Sequence, residues 1–164
     1  MIQDTIKSLA STYFEEYRSI RHHLHANPEL SFKEFETSKF VQAQLTSIGI
    51  PFSILGETGV IGIIKGNPSN RVIALRADMD ALPIHEENKV SYASTKDGVM
   101  HACGHDVHTT CLLGAARILN ELKDQWDGTI KLIFQPGEEK NPGGASILIK
   151  DGVLKNPVPQ RIYG

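Results

Sequence analysis

The stretch Arg71-Val72-Ile73-Ala74-Leu75-Arg76, which runs into Ala77-Asp78-Met79-Asp80-Ala81-Leu82-Pro83, decides the fold. It is a near-continuous apolar run that ends in acidic residues. Residues 129–134 (TIKLIF) form a second such run, and it leads into QPGEE. Runs of this kind are typical of strands that are buried on both faces. Segments with helical periodicity lie between and around them, so the sequence predicts an α/β fold in which helices cover both faces of a sheet.

Helices are predicted over residues 6–24, 31–48, 106–122 and 145–150. In the first and the third, the apolar residues lie three and four apart. Pro28 is expected to end the first helix. Ser31-Phe32-Lys33-Glu34 has the pattern of a capping box, with Ser31 as the N-cap and Glu34 bonded back to the free backbone N–H. Gly49 is predicted as the left-handed cap that ends the second helix. Cys111 falls in the apolar stripe of the third helix and is predicted to be a core thiol.

The strand pattern of residues 60–65 is separated from that of residues 71–76 by the turn residues Gly66-Asn67-Pro68. A turn between two apolar runs predicts a hairpin or two neighbouring strands. Nothing within the 164 residues has the composition of a linker, and this length is typical of one domain.

Composition excludes several classes of protein. The formal net charge is −2, which argues against a nucleic-acid binder. No stretch approaches the ~20 apolar residues of a membrane span. Residues 1–7 (MIQDTIK) are charged and lack the apolar core of a signal peptide, and two cysteines cannot build a disulfide framework. We therefore expect a reduced, cytoplasmic protein.

Three of the seven histidines lie in HACGHDVH, residues 101–108. His101, Cys103 and His105 alternate, so in an extended segment they would project to one side. Thiolate and imidazole at this spacing are natural ligands for zinc or another first-row divalent metal. Two alternatives stay open. One is a helix N-terminus where His and Asp act as caps, and the other is a Cys–His nucleophilic dyad.

Carboxylates follow both apolar runs, at the sheet edge where α/β proteins bind ligands. Glu138 and Glu139 are adjacent, so one could ligate a metal while the other moves protons; a solvated turn is the alternative. Asp78 and Asp80 lie two apart and face the same way. They are predicted to ligate a metal or to fix the tautomer of a ligating histidine, and the alternative is a strand-end turn.

Other polar residues are assigned to structure. His22 and His23 lie at the predicted end of the first helix, where imidazoles favour the helix dipole. His25 is left open between structure and function. Glu86 and Glu87 are predicted to be an ordinary pair of surface charges.

Four motifs occur together in order: RHHLHANPEL (21–30), LRADMDALP (75–83), MHACGHDVH (100–108) and FQPGEE (134–139). On these motifs the chain resembles the metal-dependent amidohydrolases. This family includes hippurate hydrolase, N-acyl-amino-acid amidohydrolases, N-acetyldiaminopimelate deacetylase and the auxin-conjugate hydrolases of plants, within the aminoacylase and carboxypeptidase superfamily. The match covers about Arg21 to Gly164.

The resemblance implies a metallo-exopeptidase-like catalytic domain with two divalent metal ions, zinc or manganese, with cobalt or nickel as alternatives. It implies Cys103, His105 and Glu139 as metal ligands and Glu138 as the general base and acid. Asp78 and Asp80 fall where relatives carry an acid that ligates the metal or orients a ligand, and Asp80 joins Glu138 among the expected catalytic residues. The implied reaction is the hydrolysis of an N-acyl (acetyl, benzoyl or similar) amino acid by metal-activated water.

Members of the family continue after the equivalent of Tyr163-Gly164 with a Leu-His pair, a lid or dimerisation domain and a further ligand. We therefore expect residues 1–164 to be the N-terminal part of a metallohydrolase catalytic domain, lacking the lid domain and the C-terminal part. The expected partner is a small-molecule N-acyl amino acid, without nucleic acid or membrane, and the resemblance allows a homodimer of the full-length protein. The alternative is a truncated, non-catalytic metal-binding or interaction module derived from this family.

Overall fold

The computed structural model describes all 164 residues. The chain forms four α-helices, α1 (Ile2–Ala26), α2 (Phe35–Ser47), α3 (His105–Glu121) and α4 (Gly144–Lys150). It forms five strands, β1 (Phe52–Leu55), β2 (Gly59–Lys65), β3 (Asn67–Asp78), β4 (Asp127–Gln135) and β5 (Arg161–Tyr163). A 3-10 turn at Lys123–Gln125 joins α3 to β4. None of the helices combines the length and the apolar character needed to span a bilayer.

The five strands form one mixed sheet in the order β1-β2-β4-β3-β5. β3 runs parallel to β4 and β5, whereas β2 runs antiparallel to β1 and β4. The predicted hairpin or neighbouring pair of residues 60–65 and 71–76 is wrong, because Ile130 of β4 pairs with Ile64 on one side and with Ile73 on the other. A turn signal shows that the chain reverses. It does not show whether a strand from later in the chain will be inserted between the two.

Helices cover both faces of the sheet, which confirms the predicted architecture. The larger core lies under α1, α2 and α3 and contains Leu24, Val41, Leu45, Leu113, Leu132 and Phe134. The smaller core lies under α4 and contains Ile61, Ala74, Ile133, Leu148 and Val153. A fully buried Val, Leu, Ile or Phe side chain contributes about 1.5–3 kcal/mol relative to the exposed state. β4 supplies residues to both cores, so its outgoing end is held firmly in place.

The ends of the first two helices follow local signals, with one exception. α1 ends shortly before Pro28, and Gly49 adopts the predicted left-handed conformation with φ 70°. The capping box is wrong, because α2 begins only at Phe35 and neither Ser31 nor Glu34 makes a side-chain cap. Both side chains turn toward the sheet edge instead, where buried partners compete with the helix end.

Cys111 is the other local prediction that fails. Its neighbours Leu112 and Leu113 are buried, but Cys111 is exposed on the side of α3 that faces α1. It borders an open groove of about 620 Å³ between the two helices. Apolar spacing identifies a helix face, but it does not show whether another element covers all of that face.

Candidate metal centre

The two parallel strands β3 and β4 bring their outgoing segments to one edge of the sheet. Asp78 pairs with Gln135 at the ends of these strands. The following backbone N–H groups of Glu138 and Glu139 each donate to one carboxylate oxygen of Asp80 at 3.0 Å. The motif after β3 therefore holds the motif after β4 directly.

Asp80 is 1% exposed and has donors on every side. Besides the two backbone amides, Ser31 Oγ donates to it at 2.6 Å and His105 Nδ1 lies 3.3 Å from its Oδ1. Burial by itself raises the pKa of the Asp80 carboxyl. The hydrogen bonds from His105, Ser31 and the two amides outweigh burial and hold that pKa well below its usual range. Asp80 is therefore ionised at neutral pH.

The candidate metal ligands lie immediately beside this carboxylate. The ligand atoms of Cys103, His105 and Glu139 all lie within 4.8 Å of one another, and His105 Nε2 is 3.8 Å from Glu139 Oε1. His105 Nδ1 is 2.8 Å from the backbone oxygen of Asp80. Because a carbonyl oxygen only accepts, Nδ1 carries the proton and Nε2 presents its lone pair to the cluster.

The electrostatics of the cluster fit a bound cation. A hydrogen bond with Glu139, burial and the charges of nearby carboxylates raise the pKa of the Cys103 thiol. Burial lowers the pKa of His105, but its bond with Asp80 and the charges of Asp78 and Asp80 raise it overall. A raised thiol pKa is the reverse of what a Cys nucleophile requires. A divalent cation would favour both deprotonated ligands, so this donor set fits a first-row metal.

Asp78, His105 and His108 form a second group, in which one ligand atom of each residue lies within 4.8 Å of the others. It uses the same His105 Nε2, which lies 3.7 Å from Asp78 Oδ2 and has one lone pair to give. Asp78 is already bonded to Arg76 Nη1 at 2.8 Å and to His108 Nδ1 at 2.7 Å. The positive guanidinium disfavours a cation there, so the cluster with Cys103 is the better metal site.

The model of peptidase family M20/M25/M40 matches residues 74–164, more than half of the chain. The chain belongs to this family. The family resemblance expected from the four motifs is confirmed.

Similar proteins agree with this assignment. The chain is 46% identical over 155 residues to an N-acyl-L-amino acid amidohydrolase of Geobacillus stearothermophilus. The aligned region covers 94% of this chain and 42% of that relative. It is 45% identical over 150 residues to hippurate hydrolase of Campylobacter jejuni, covering 91% and 38% respectively. A solved Bacillus subtilis structure, named a dinuclear metal-binding peptidase of the M20 family, matches with a TM-score of 0.89, 42% identity and coverage of 94% and 43%. The chain thus spans about two-fifths of the length of these relatives.

One histidine of the M20 motif does not join the ligands. His101 was expected to project to the same side as Cys103 and His105, and this is wrong. Gly104, with φ 85°, turns the segment instead of extending it. His101 is 5% exposed, neither ring nitrogen has a hydrogen-bond partner, and burial lowers its pKa to about 4. It is a neutral interior side chain beneath the site.

The histidines of α1 have structural roles. His22 stacks on Tyr92 with ring centroids 3.7 Å apart, and His23 stacks on Phe40 at 4.3 Å, in agreement with the prediction. The ring stacking fixes the C-terminal part of α1 against the neighbouring segments.

His25, which was left open, is buried between two acids. Its Nδ1 is 2.7 Å from Asp106 Oδ2 and its Nε2 is 3.1 Å from Glu86 Oε1. The prediction that Glu86 is a surface charge is therefore wrong, since its side chain is 4% exposed, whereas Glu87 is exposed as expected. Burial raises the pKa of Glu86, but the bonds from the Ser94 N–H and His25 outweigh it and lower that pKa. This network ties α1 to the start of α3.

Sequence reasoning missed two residues that support the M20 site. Ser31 bonds to Asp80 across 49 residues of sequence, and Glu34 bonds to Gly137 across 103. The only local signal, the capping-box pattern, pointed to the wrong partner. No nearby motif could have shown contacts at such separations.

Proposed function

We propose that residues 1–164 form the N-terminal part of the catalytic domain of a metal-dependent amidohydrolase. The proposed reaction is the hydrolysis of the amide bond of an N-acyl amino acid, which releases a carboxylic acid and an amino acid. The observation that carries the proposal is the grouping of the Cys103, His105 and Glu139 ligand atoms within 4.8 Å, next to Glu138. Relatives named for N-acyl amino acids, hippurate and N-acetylcysteine support the substrate class.

We assign Cys103, His105 and Glu139 as ligands within a centre of two divalent ions, in line with the dinuclear M20 relative. Thiolate and imidazole favour zinc, and the carboxylate also admits manganese, cobalt or nickel. A bound divalent ion supplies activation of water, whose pKa it can lower to about 7, and polarisation of the amide carbonyl. We also propose that the protein is cytoplasmic and that the full-length protein forms a homodimer.

Glu138 is the proposed general base and acid. Its side chain is exposed beside the ligand Glu139, and Asp80 Oδ1 anchors its backbone N–H. Its carboxylate takes a proton from the attacking water as the new C–O bond forms. It then gives this proton to the amine nitrogen as the C–N bond breaks. Asp80 is a positioning residue here, since it acts on the substrate only through His105 and the two glutamates.

The test separates the two adjacent glutamates. Metal content is measured on the 164-residue chain, and release of glycine from N-benzoylglycine is measured on a chain extended to the length of the relatives. Glu138→Gln should retain metal and lose turnover by about 100-fold or more, whereas Glu139→Gln should lose metal. Glu87→Gln, at an exposed position, is the matched control and should change neither.

Four results would contradict the proposal. Full turnover in Glu138→Gln would remove its role as base, and a Cys103→Ser protein with normal metal content and activity would remove the ligand assignment. Activity that survives exhaustive chelation would favour a Cys nucleophile. An extended chain that binds metal but hydrolyses no N-acyl amino acid would favour the non-catalytic module.

A further inference from the structure

A second buried carboxylate, that of Glu34, holds the turn that carries Glu138 and Glu139. Glu34 is 0% exposed. Its Oε1 accepts hydrogen bonds from the backbone N–H groups of Gly137 at 2.7 Å and Phe32 at 2.9 Å. Its Oε2 accepts a bond from Thr58 Oγ1 at 3.0 Å. The bonds from Gly137 and Thr58 are buried, and the bond from Phe32 is part-buried.

Three successive backbone N–H groups therefore point at buried carboxylates. The N–H of Gly137 donates to Glu34, and those of Glu138 and Glu139 donate to Asp80. The amides of Glu138 and Glu139 converge on the single carboxylate of Asp80, and consecutive amides that face negative charge in this way form an anion-binding nest. Ser31, three residues before Glu34, also donates to Asp80, so one short segment supports both carboxylates.

The segment that carries Glu34 is itself in an unusual conformation. Phe32 has φ 65°, a left-handed conformation that costs a bulky residue about 1–2 kcal/mol. Its ring packs so closely on Gly137 that a Cβ atom there would overlap the ring. Backbone strain of this kind persists where surrounding contacts compensate for it, and it is concentrated at functional sites. Here the compensating contacts are the ring on Gly137 and the bond from the Phe32 N–H to Glu34.

We propose that Glu34 is a positioning residue of the hydrolytic site. Through the Gly137 N–H, its carboxylate fixes the turn that directs Glu139 toward the metal position and Glu138 toward the attacking water. The roles of the two glutamates rest on the proposed function. The fixing of the turn by Glu34 does not, and this allows the two to be tested separately.

The first measurement needs no metal. In Glu34→Ala, the Gly137 amide signal in a proton–nitrogen NMR spectrum should move upfield, and its hydrogen exchange should become about 10- to 100-fold faster, as expected for loss of a bond to a charged acceptor. Glu34→Gln keeps an oxygen for the same amide and should give a smaller change. Glu29 is the matched control. It is also buried, but it binds the N–H and hydroxyl of Thr37 and does not touch the turn. An unchanged Gly137 amide in Glu34→Ala, or an equal change in Glu29→Ala, would overturn the proposal.

The second measurement is titration with Co²⁺, followed by the absorption band of a cobalt–thiolate bond. Loss of a residue that orients a metal ligand typically weakens metal binding 10- to 100-fold, and this is the effect expected for Glu34→Ala at equal folded fraction. Glu29→Ala should bind as the unsubstituted chain does, and Glu34→Gln should recover most of the affinity. Should Glu34→Ala fail to fold, the comparison of Glu34→Gln with Glu29→Gln serves in its place, with a weakening confined to Glu34 expected. Equal affinities in the compared pair would overturn the proposal for Glu34. Absence of the thiolate band in the unsubstituted chain would instead overturn the assignment of Cys103, while the NMR result still decides the role of Glu34.

Discussion

Replacement of Asp80 by asparagine should destabilise the fold by about 3 kcal/mol, although the two side chains have nearly the same shape. Asp80 Oδ1 accepts the N–H of Glu138, and Oδ2 accepts both the N–H of Glu139 and the hydroxyl of Ser31. Asparagine has only one side-chain oxygen, so its NH₂ group would face the backbone N–H of Glu138 or Glu139. Two donors would then face each other, and that N–H would lose its acceptor. A lost bond to a charged acceptor costs about 1.5–3 kcal/mol, and a buried donor left unpaired costs about 1–3 kcal/mol.

The assay is equilibrium urea denaturation of the metal-free chain. The single tryptophan, Trp126, is a suitable probe because it packs against the larger core and its indole N–H donates to Leu119 O at 3.0 Å. Asp78→Asn is the matched control. Asp78 is also buried, but Arg76 and His108 approach its oxygens with long or half-exposed side chains that can turn to water. Asp78→Asn should therefore lower the free energy of unfolding by only about 1 kcal/mol.

The same variant has a defined pH dependence. The pKa of Asp80 is held below its usual range, so its contribution to stability is complete above about pH 4 and is lost as the pH falls toward the lowered pKa. Asp80→Asn lacks this titrating group and should lose less stability on acidification. Equal destabilisation by Asp80→Asn and Asp78→Asn at neutral pH, or a loss below about 1 kcal/mol in Asp80→Asn, would refute the reasoning.

Three further predictions concern packing, a buried cation and a buried phenol. Gly137→Ala should lower the free energy of unfolding by about 3 kcal/mol or more, because φ is positive there and the new methyl group would overlap the Phe32 ring. Gly98 also has a positive φ but has open space around it, so Gly98→Ala should lower the free energy of unfolding by only about 1 kcal/mol in the same assay. Lys131→Met removes an ammonium group that donates to three backbone carbonyls at 2.8 Å each. It should lower the free energy of unfolding by about 2 kcal/mol, whereas the exposed Lys65→Met should leave the urea midpoint unchanged. Burial raises the pKa of Tyr17 to about 12, so ultraviolet titration of the native chain should show a late phenol phase that Tyr17→Phe diminishes; an undiminished late phase would contradict the assignment.

The order of the strands illustrates a limit of local patterns. Apolar runs located β2, β3 and β4 to within a few residues, because alternation and burial act on each strand separately. Their order depends on which edges pair. Ile130 of β4 pairs with Ile64 of β2 on one side and with Ile73 of β3 on the other. β4 follows both strands in sequence but lies between them in the sheet, where helices cover both of its faces. The turn residues between β2 and β3 do not indicate that another strand will lie between them.

The candidate site, like the strand order, could be predicted from the sequence only in part. Cys103 and His105 are two residues apart, and Glu139 follows a buried strand, so residue type and spacing alone indicated a metal site. The chemistry of thiolate, imidazole and carboxylate belongs to the side chains themselves and is therefore readable from sequence. His101 has the same side chain as His105, yet it is buried without a hydrogen-bond partner. Residue type did not distinguish these two.

By itself, the sequence determined the four helices, the three strands β2, β3 and β4, the family and the chemical types of the candidate ligands, since these follow from periodicity and from short motifs; the short edge strands β1 and β5 were not predicted. Only the tertiary structure decided that Asp80 and Glu34 face three successive amides of the turn at residues 137–139. The physical reason is that burial and hydrogen-bond direction depend on neighbours in space, and Glu34 meets Gly137 across 103 residues of chain.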